Sequence, residues 1–168
     1  MAKKIRKLKL ASLIVVGEGP HDRAFLSHMK DLYDGRHTNQ KVRIEAADGG
    51  SPSDILKTVI KHKQAAYDRK YVLMDSDVAL SQQNRDYATK HKIIILQSQP
   101  VCLEGMLLEV LSQKAPVTNH ACKAILHPQL SGFPTVKSSY TGLFTKVVLD
   151  QTAKVTIQSL RKILLNVK

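Results

Sequence analysis

Tyr71-Val72-Leu73-Met74-Asp75-Ser76-Asp77 decides how this chain is read. A short apolar run bounded by polar residues predicts a strand buried on both faces, as in a parallel sheet. Two carboxylates follow at once, on either side of a serine. In open α/β sheets the ligand crevice lies outside the carboxyl ends of the strands. Leu13-Ile14-Val15-Val16 is a second run of the same kind, and it leads into Gly17-Glu18-Gly19. Three acids at the ends of two apolar strands therefore predict a metal site.

Working outward, the pattern alternates strand and helix. The first strand, Ser12 to Val16, leads through Gly17-Glu18-Gly19 to a helix over about residues 20–33. Pro20 suits the opening of that helix, because the N–H it lacks would have no partner there. Val42 to Ala46 alternates as a strand. Asp48-Gly49-Gly50 turns the chain, with backbone N–H groups that could hold an anion. Ser51-Pro52-Ser53-Asp54 has the form of a capping box and predicts a helix to about Tyr67. Beyond the central strand come a polar helix over about 80–91, the strand Ile93-Ile94-Ile95-Leu96, and a helix over about 103–113. Four such units predict an α/β fold: a Rossmann-like parallel four-stranded sheet with helices on both faces. Residues 1–10 read as a basic N-terminal arm and 11–113 as the core. Residues 114–168 read as a basic, mostly helical C-terminal extension of the same domain. In it, 121–126 gives one or two helical turns and 155–165 a closing helix.

The chain has 168 residues and a net charge of +12, with 26 Lys and Arg against 14 acids. From Pro116 onward there are seven Lys or Arg and one acid, Asp150. Such a balance favours a polyanionic partner, nucleic acid before membrane. Cys102 and Cys122 lie in apolar surroundings with no CxxC spacing, which argues against a disulfide scaffold or a zinc site and fits a reducing cytoplasm. No apolar run approaches the roughly 20 residues that span a bilayer.

The chemistry of the acids follows from their positions. Strand residues two apart face the same way, so Asp75 and Asp77 share one site if the strand persists to residue 77. Converging carboxylates raise one another's pKa, and a cation relieves the repulsion. Mg²⁺ or Mn²⁺ takes oxygen ligands and keeps several waters, so one or two carboxylates suffice. Asp22 either orients this site or stabilises the first helical turn through the dipole. Of the seven histidines (His21, His28, His37, His62, His91, His120 and His127) none has the H-E-x-x-H pattern. Most read as surface residues; His21 is the exception by position, and its place beside Glu18 suits a phosphate contact or a proton relay. Ser76 lacks a nucleophile elbow, and Gly17-x-Gly19 is too short for a dinucleotide fingerprint.

Ile14-Val15-Val16-Gly17-Glu18-Gly19-Pro20-His21-Asp22 resembles the strand-plus-E-G-x-x-D motif of Toprim domains, and Val72-Leu73-Met74-Asp75-Ser76-Asp77 resembles their strand-plus-DxD motif. Within that superfamily the order of pieces is similar to RloB-like proteins of bacterial restriction and abortive-infection loci. Tyr67-Asp68 precedes the DxD strand, and Ser98-Gln99-Pro100-Val101-Cys102-Leu103-Glu104 resembles their S-N-P-C-F-E segment. Pro20-His21 stands where those proteins have a further acid, and Gly105-Met106 where they have Leu-Trp. Over residues 12–111 the resemblance implies a Toprim fold. It also implies Glu18 as general acid/base, Asp75 and Asp77 as ligands of Mg²⁺, and Glu104 as an acid near the site. The implied activity is phosphodiester cleavage or transfer on DNA or RNA, in a defence complex with a protein partner. Some Toprim enzymes use a covalent tyrosine, but nothing around Tyr140 supports that role. A module that keeps the fold and basic surface, binds nucleic acid and cuts nothing is the alternative. A phosphoacceptor receiver domain fits less well, because Gly17-Glu18 and Gln97-Ser98 stand where it has paired acids and a lysine.

Overall fold

The computed structural model describes residues 10–61 and 66–168. The basic arm up to residue 9 and His62 lie outside the described residues. Four strands, β1 (Ala11–Gly17), β2 (Gln40–Ala46), β3 (Arg69–Asp75) and β4 (Ile93–Ser98), form one all-parallel sheet in the order β2-β1-β3-β4. Seven helices accompany them among the described residues: α1 (Pro20–Tyr33), α2 (Pro52–Lys61), α3 (Gln82–Lys90), α4 (Leu103–Val110), α5 (Asn119–Leu126), α6 (Lys146–Gln151) and α7 (Val155–Leu165). The α/β architecture, with helices on both faces and a helical C-terminal part, is the one the alternation predicts.

The strands alternate their side chains between two cores. Leu13, Val15, Tyr71 and Leu73 face one core, with Phe25, Leu26, Met29, Leu107, Phe144, Leu160 and Leu164. Ile14, Val16, Val72 and Met74 face the other, with Ile55, Leu56, Val59 and Ala88. So α2 and α3 cover one face, while α1, α4 and the C-terminal helices cover the opposite one. Both faces of β1 and β3 are dry, which is why their sequences read as unbroken apolar runs. The segment after residue 113 shares the larger core through Cys122, Leu126, Leu130, Tyr140, Phe144 and Leu149.

Several boundaries differ from the expectation. β3 stops at Asp75; Ser76 and Asp77 turn away, and both backbone N–H groups donate to the carbonyl of Val101, at 2.9 and 3.0 Å. Val101 sits at φ +65°, a conformation disfavoured for a β-branched residue. Residues 66 and 67 are not helical, so α2 does not reach Tyr67. Helix α6 has no counterpart in the predicted pattern. Its six residues are capped by Thr145, whose Oγ1 accepts the N–H of Val148 at 3.3 Å. Tyr140 is buried, and its hydroxyl donates to the carbonyl of Pro134 at 2.7 Å, which is a packing role.

The sheet order positions the site. From β1 the chain crosses to β2 on one side, then returns past β1 to β3 on the other. The order of the strands therefore reverses between β1 and β3, which opens a crevice at their carboxyl ends.

Candidate functional site

The crevice between the tips of β1 and β3 is a cleft of about 380 Å³. Glu18, Gly19, Pro20, His21 and Asp22 line it from the turn after β1 and the start of α1. Asp48 and Gly49 line it from the turn after β2, Asp75 from the end of β3, and Asn119 and Lys123 from α5. The glutamate and the first aspartate are in direct contact: the backbone N–H of Asp75 donates to Oε2 of Glu18 at 2.6 Å. The Glu18 carbonyl accepts the N–H of Gly49 at 2.9 Å, so that amide is not free for an anion. Gly49 and Gly50 adopt φ +87° and +104°, a region that favours glycine.

Asp75 is fixed from two sides. Its Oδ1 accepts the N–H of Leu103, in the first turn of α4, at 3.0 Å. Its Oδ2 accepts Nδ2 of Asn119, the first residue of α5, at 3.1 Å. Burial, then the charge of Glu18, pushes the Asp75 carboxyl up to about 7, against the opposing pull of the Leu103 N–H. Asp22 is more deeply buried. Its Oδ2 accepts the N–H of Gly19, the residue that opens α1, at 3.0 Å, while its Oδ1 is buried with no hydrogen-bond partner among the described residues. Burial first, then Asp75, with Glu104 and Glu18 adding, raises it to about 8. Asp22 thus serves the first turn of α1 and crowds the carboxylate site at once. Gly17 makes room for it: a Cβ there would lie 2.4 Å from the Asp22 Cβ.

Asp77 adds its charge to those that raise the Asp75 pKa but stands outside the cleft wall. It is exposed, lies beyond the end of β3 and is not part of the cleft wall. The condition for Asp75 and Asp77 to face one site through strand alternation, a strand that persists to residue 77, is not met: β3 ends at Asp75, and the N–H groups of 76 and 77 bond the Val101 carbonyl instead.

Glu104 and His21 form a second constellation. Glu104 is buried in the first turn of α4, and its Oε1 is 3.0 Å from Nδ1 of His21 and 2.9 Å from Nε2 of His127. Burial alone would raise its pKa. The bonds from His21 and His127 outweigh that and hold it at about 2, fully ionised. The two rings meet edge-on, 4.8 Å between centroids. Among the described histidines one is buried, His28, with Nε2 2.7 Å from the Phe144 carbonyl oxygen. His127, Asn119 and Lys123 went unrecognised in the sequence. They come from a stretch broken by Pro116 and Pro128, and no spacing ties them to Glu18 or Asp75.

Among the described residues, His21, Glu104 and His127 form the one group of three metal-ligating side chains whose donor atoms lie close together, within 4.8 Å of one another. Glu18, Asp75 and Asp22 are all-oxygen donors spread along the cleft. No described helix is long and apolar enough to cross a membrane. Comparison with known proteins gives no match to any family model, any curated protein or any solved structure.

Proposed function

We propose that the protein cleaves or transfers phosphodiester bonds in nucleic acid, using a hard divalent cation, Mg²⁺ or Mn²⁺, in the cleft at the tips of β1 and β3. The observation that carries this reading is the meeting of Glu18 and Asp75 at the point where the strand order reverses, with the orphaned Oδ1 of Asp22 beside them. The donor set is all oxygen and crowded with like charge, which suits Mg²⁺ better than a softer ion. Asp75 would hold the cation, with Asp77 adding negative charge from outside the cleft wall. When bound, such an ion neutralises charge on a phosphoryl group and lowers the pKa of water.

The chain's own residues would do the rest. Glu18 would take or give the proton, its carboxylate fixed by the N–H of Asp75. Asn119 would hold Asp75 in place. Lys123, on the cleft wall, would face a phosphate oxygen. The resemblance to RloB-like proteins directs this activity to a bacterial defence complex in the cytoplasm.

A second reading has one observation in its favour: Asp77 stands outside the cleft, as in a module that has kept the fold and lost the chemistry. A cleavage screen on DNA and RNA with Mg²⁺ or Mn²⁺ decides. On the catalytic reading, Asp75→Asn and Glu18→Gln each reduce cleavage at least about 100-fold, while nucleic-acid binding changes little. Cleavage that survives in both variants sinks the catalytic reading, and binding without cleavage by the wild type supports the second.

A further inference from the structure

We infer that His21, Glu104 and His127 form a separate binding site for a borderline first-row cation of the Zn²⁺ or Co²⁺ class. Two imidazoles and one carboxylate are the donor set that such ions take and that Mg²⁺ does not favour. The three residues arrive from separate elements: the start of α1, the first turn of α4, and the short turn after α5 at His127–Gln129. Nothing local in the sequence announces them.

The geometry fits the ion. With metal–ligand bonds of roughly 2.0–2.2 Å, neighbouring donors stand about 2.8–3.1 Å apart in an octahedral shell and about 3.3–3.6 Å apart in a tetrahedral one. The Glu104 oxygen is 3.0 Å from the His21 nitrogen and 2.9 Å from the His127 nitrogen. The two imidazole nitrogens, within 4.8 Å of each other, have to close up, and each has to turn from the Glu104 oxygen toward the ion. Their side chains are 27% and 23% exposed, so each ring has solvent on one side and can shift.

The electrostatics also fit. The Glu104 side chain is 3% exposed, and among the described residues its ion pairs within 4 Å are the two histidines, with no lysine or arginine. A buried carboxylate of this kind is either held by N–H donors or neutralised by a cation. Three protein ligands would leave further positions open, as in catalytic rather than structural zinc sites. His21 also lines the cleft, which puts those positions near the carboxylates of Asp22 and Asp75.

The inference stands apart from the Mg²⁺ reading and is tested by Co²⁺ and Zn²⁺ binding to the chelator-treated full chain. Wild type is expected to bind one Co²⁺ with a visible d–d absorption band, displaced by one equivalent of Zn²⁺ but not by millimolar Mg²⁺. Loss of outer-shell partners costs 10–100-fold in metal affinity, so loss of a ligand should cost at least about 100-fold. That loss is expected in His127→Gln and in Glu104→Gln, each verified as folded by circular dichroism. His127→Gln keeps a side-chain amide in place of the ring N–H and guards against simple misfolding. Asp75→Asn is expected to bind Co²⁺ as wild type does, whatever it does to cleavage. Absence of Co²⁺ binding by wild type, binding that survives in both ligand variants, or binding lost in Asp75→Asn would each overturn the site. The first of these outcomes would leave a carboxylate that merely accepts two N–H bonds.

Discussion

Gly105 shows how closely single atoms set this site. A Cβ there would lie 2.4 Å from the carbonyl oxygen of Pro100 and 3.2 Å from Sγ of Cys122. The helix that carries Glu104 and the Leu103 N–H is therefore packed directly on the loop after β4. That loop in turn holds Ser76 and Asp77 through Val101. Gly105→Ala is expected to destabilise the fold by about 1–3 kcal/mol, the range for overpacking against backbone that cannot give. A urea midpoint unchanged from wild type would show that α4 can slide away freely. The residue scale is also where the sequence was least complete. Glu18 and Asp75 were legible because each follows an apolar strand directly. His127, Asn119 and Lys123 were not, since tertiary contact alone relates them to the strand tips. Asp77 was misplaced because the alternation rule assumes a strand that continues, and a single distant carbonyl ended it.

At the scale of elements, the Rossmann-like core was legible because β1 and β3 are buried on both faces and so carry uninterrupted apolar runs. The C-terminal helices were less so, because they are tied down by polar contacts with distant partners. Gln40, the first residue of β2, donates from Nε2 to the carbonyls of Ile163 and Leu164 at 3.1 and 2.7 Å, satisfying the end of α7. Asp150, the one acid of this region, joins three helices. It accepts the Tyr33 hydroxyl from α1 at 2.8 Å, Nζ of Lys146 from α6 at 2.8 Å and the Arg161 guanidinium from α7 at 2.8 Å. The Lys146 bond first, then those of Tyr33 and Arg161, hold its pKa below the usual carboxylate range despite partial burial. A depressed folded pKa contributes stability above the unfolded value, about 3.9, and that contribution is lost as pH falls through the folded value. Asp150→Asn should therefore cost about 1 kcal/mol at neutral pH, as befits a partly exposed pair. The gap to wild type should narrow as pH falls below about 4. Denaturation curves at pH 7 and pH 3 check this, and a gap that does not narrow at all between them would mean that packing rather than charge is lost.

Across the whole molecule, the charge of +12 is distributed less simply than composition suggests. Of the seven Lys and Arg after Pro116, four are engaged internally: Lys137 with Asp31, Lys146 and Arg161 with Asp150, and Lys154 with Glu109. Lys123, Lys162 and Lys168 are the three outside these pairs, and Lys123 alone of them lines the cleft. A phosphate backbone drawn to this protein would thus meet Lys123, which has no ion pair within 4 Å among the described residues, on the wall of the cleft that Asp75 lines, where the proposed chemistry needs it. Each phosphate neutralised by a basic side chain releases counterions, so the logarithm of the binding constant falls linearly with the logarithm of salt concentration, by about 0.9 per contact on duplex DNA. Binding titrations from low to moderate salt should give a slope steeper than about −3 for wild type. Lys123→Ala should make it shallower by about one while weakening binding evenly across sequences. A basic surface that serves only solubility predicts a different result, weak binding whose slope does not respond to Lys123. In that case the cleft would have no share in holding the backbone, and the excess charge would act elsewhere on the chain.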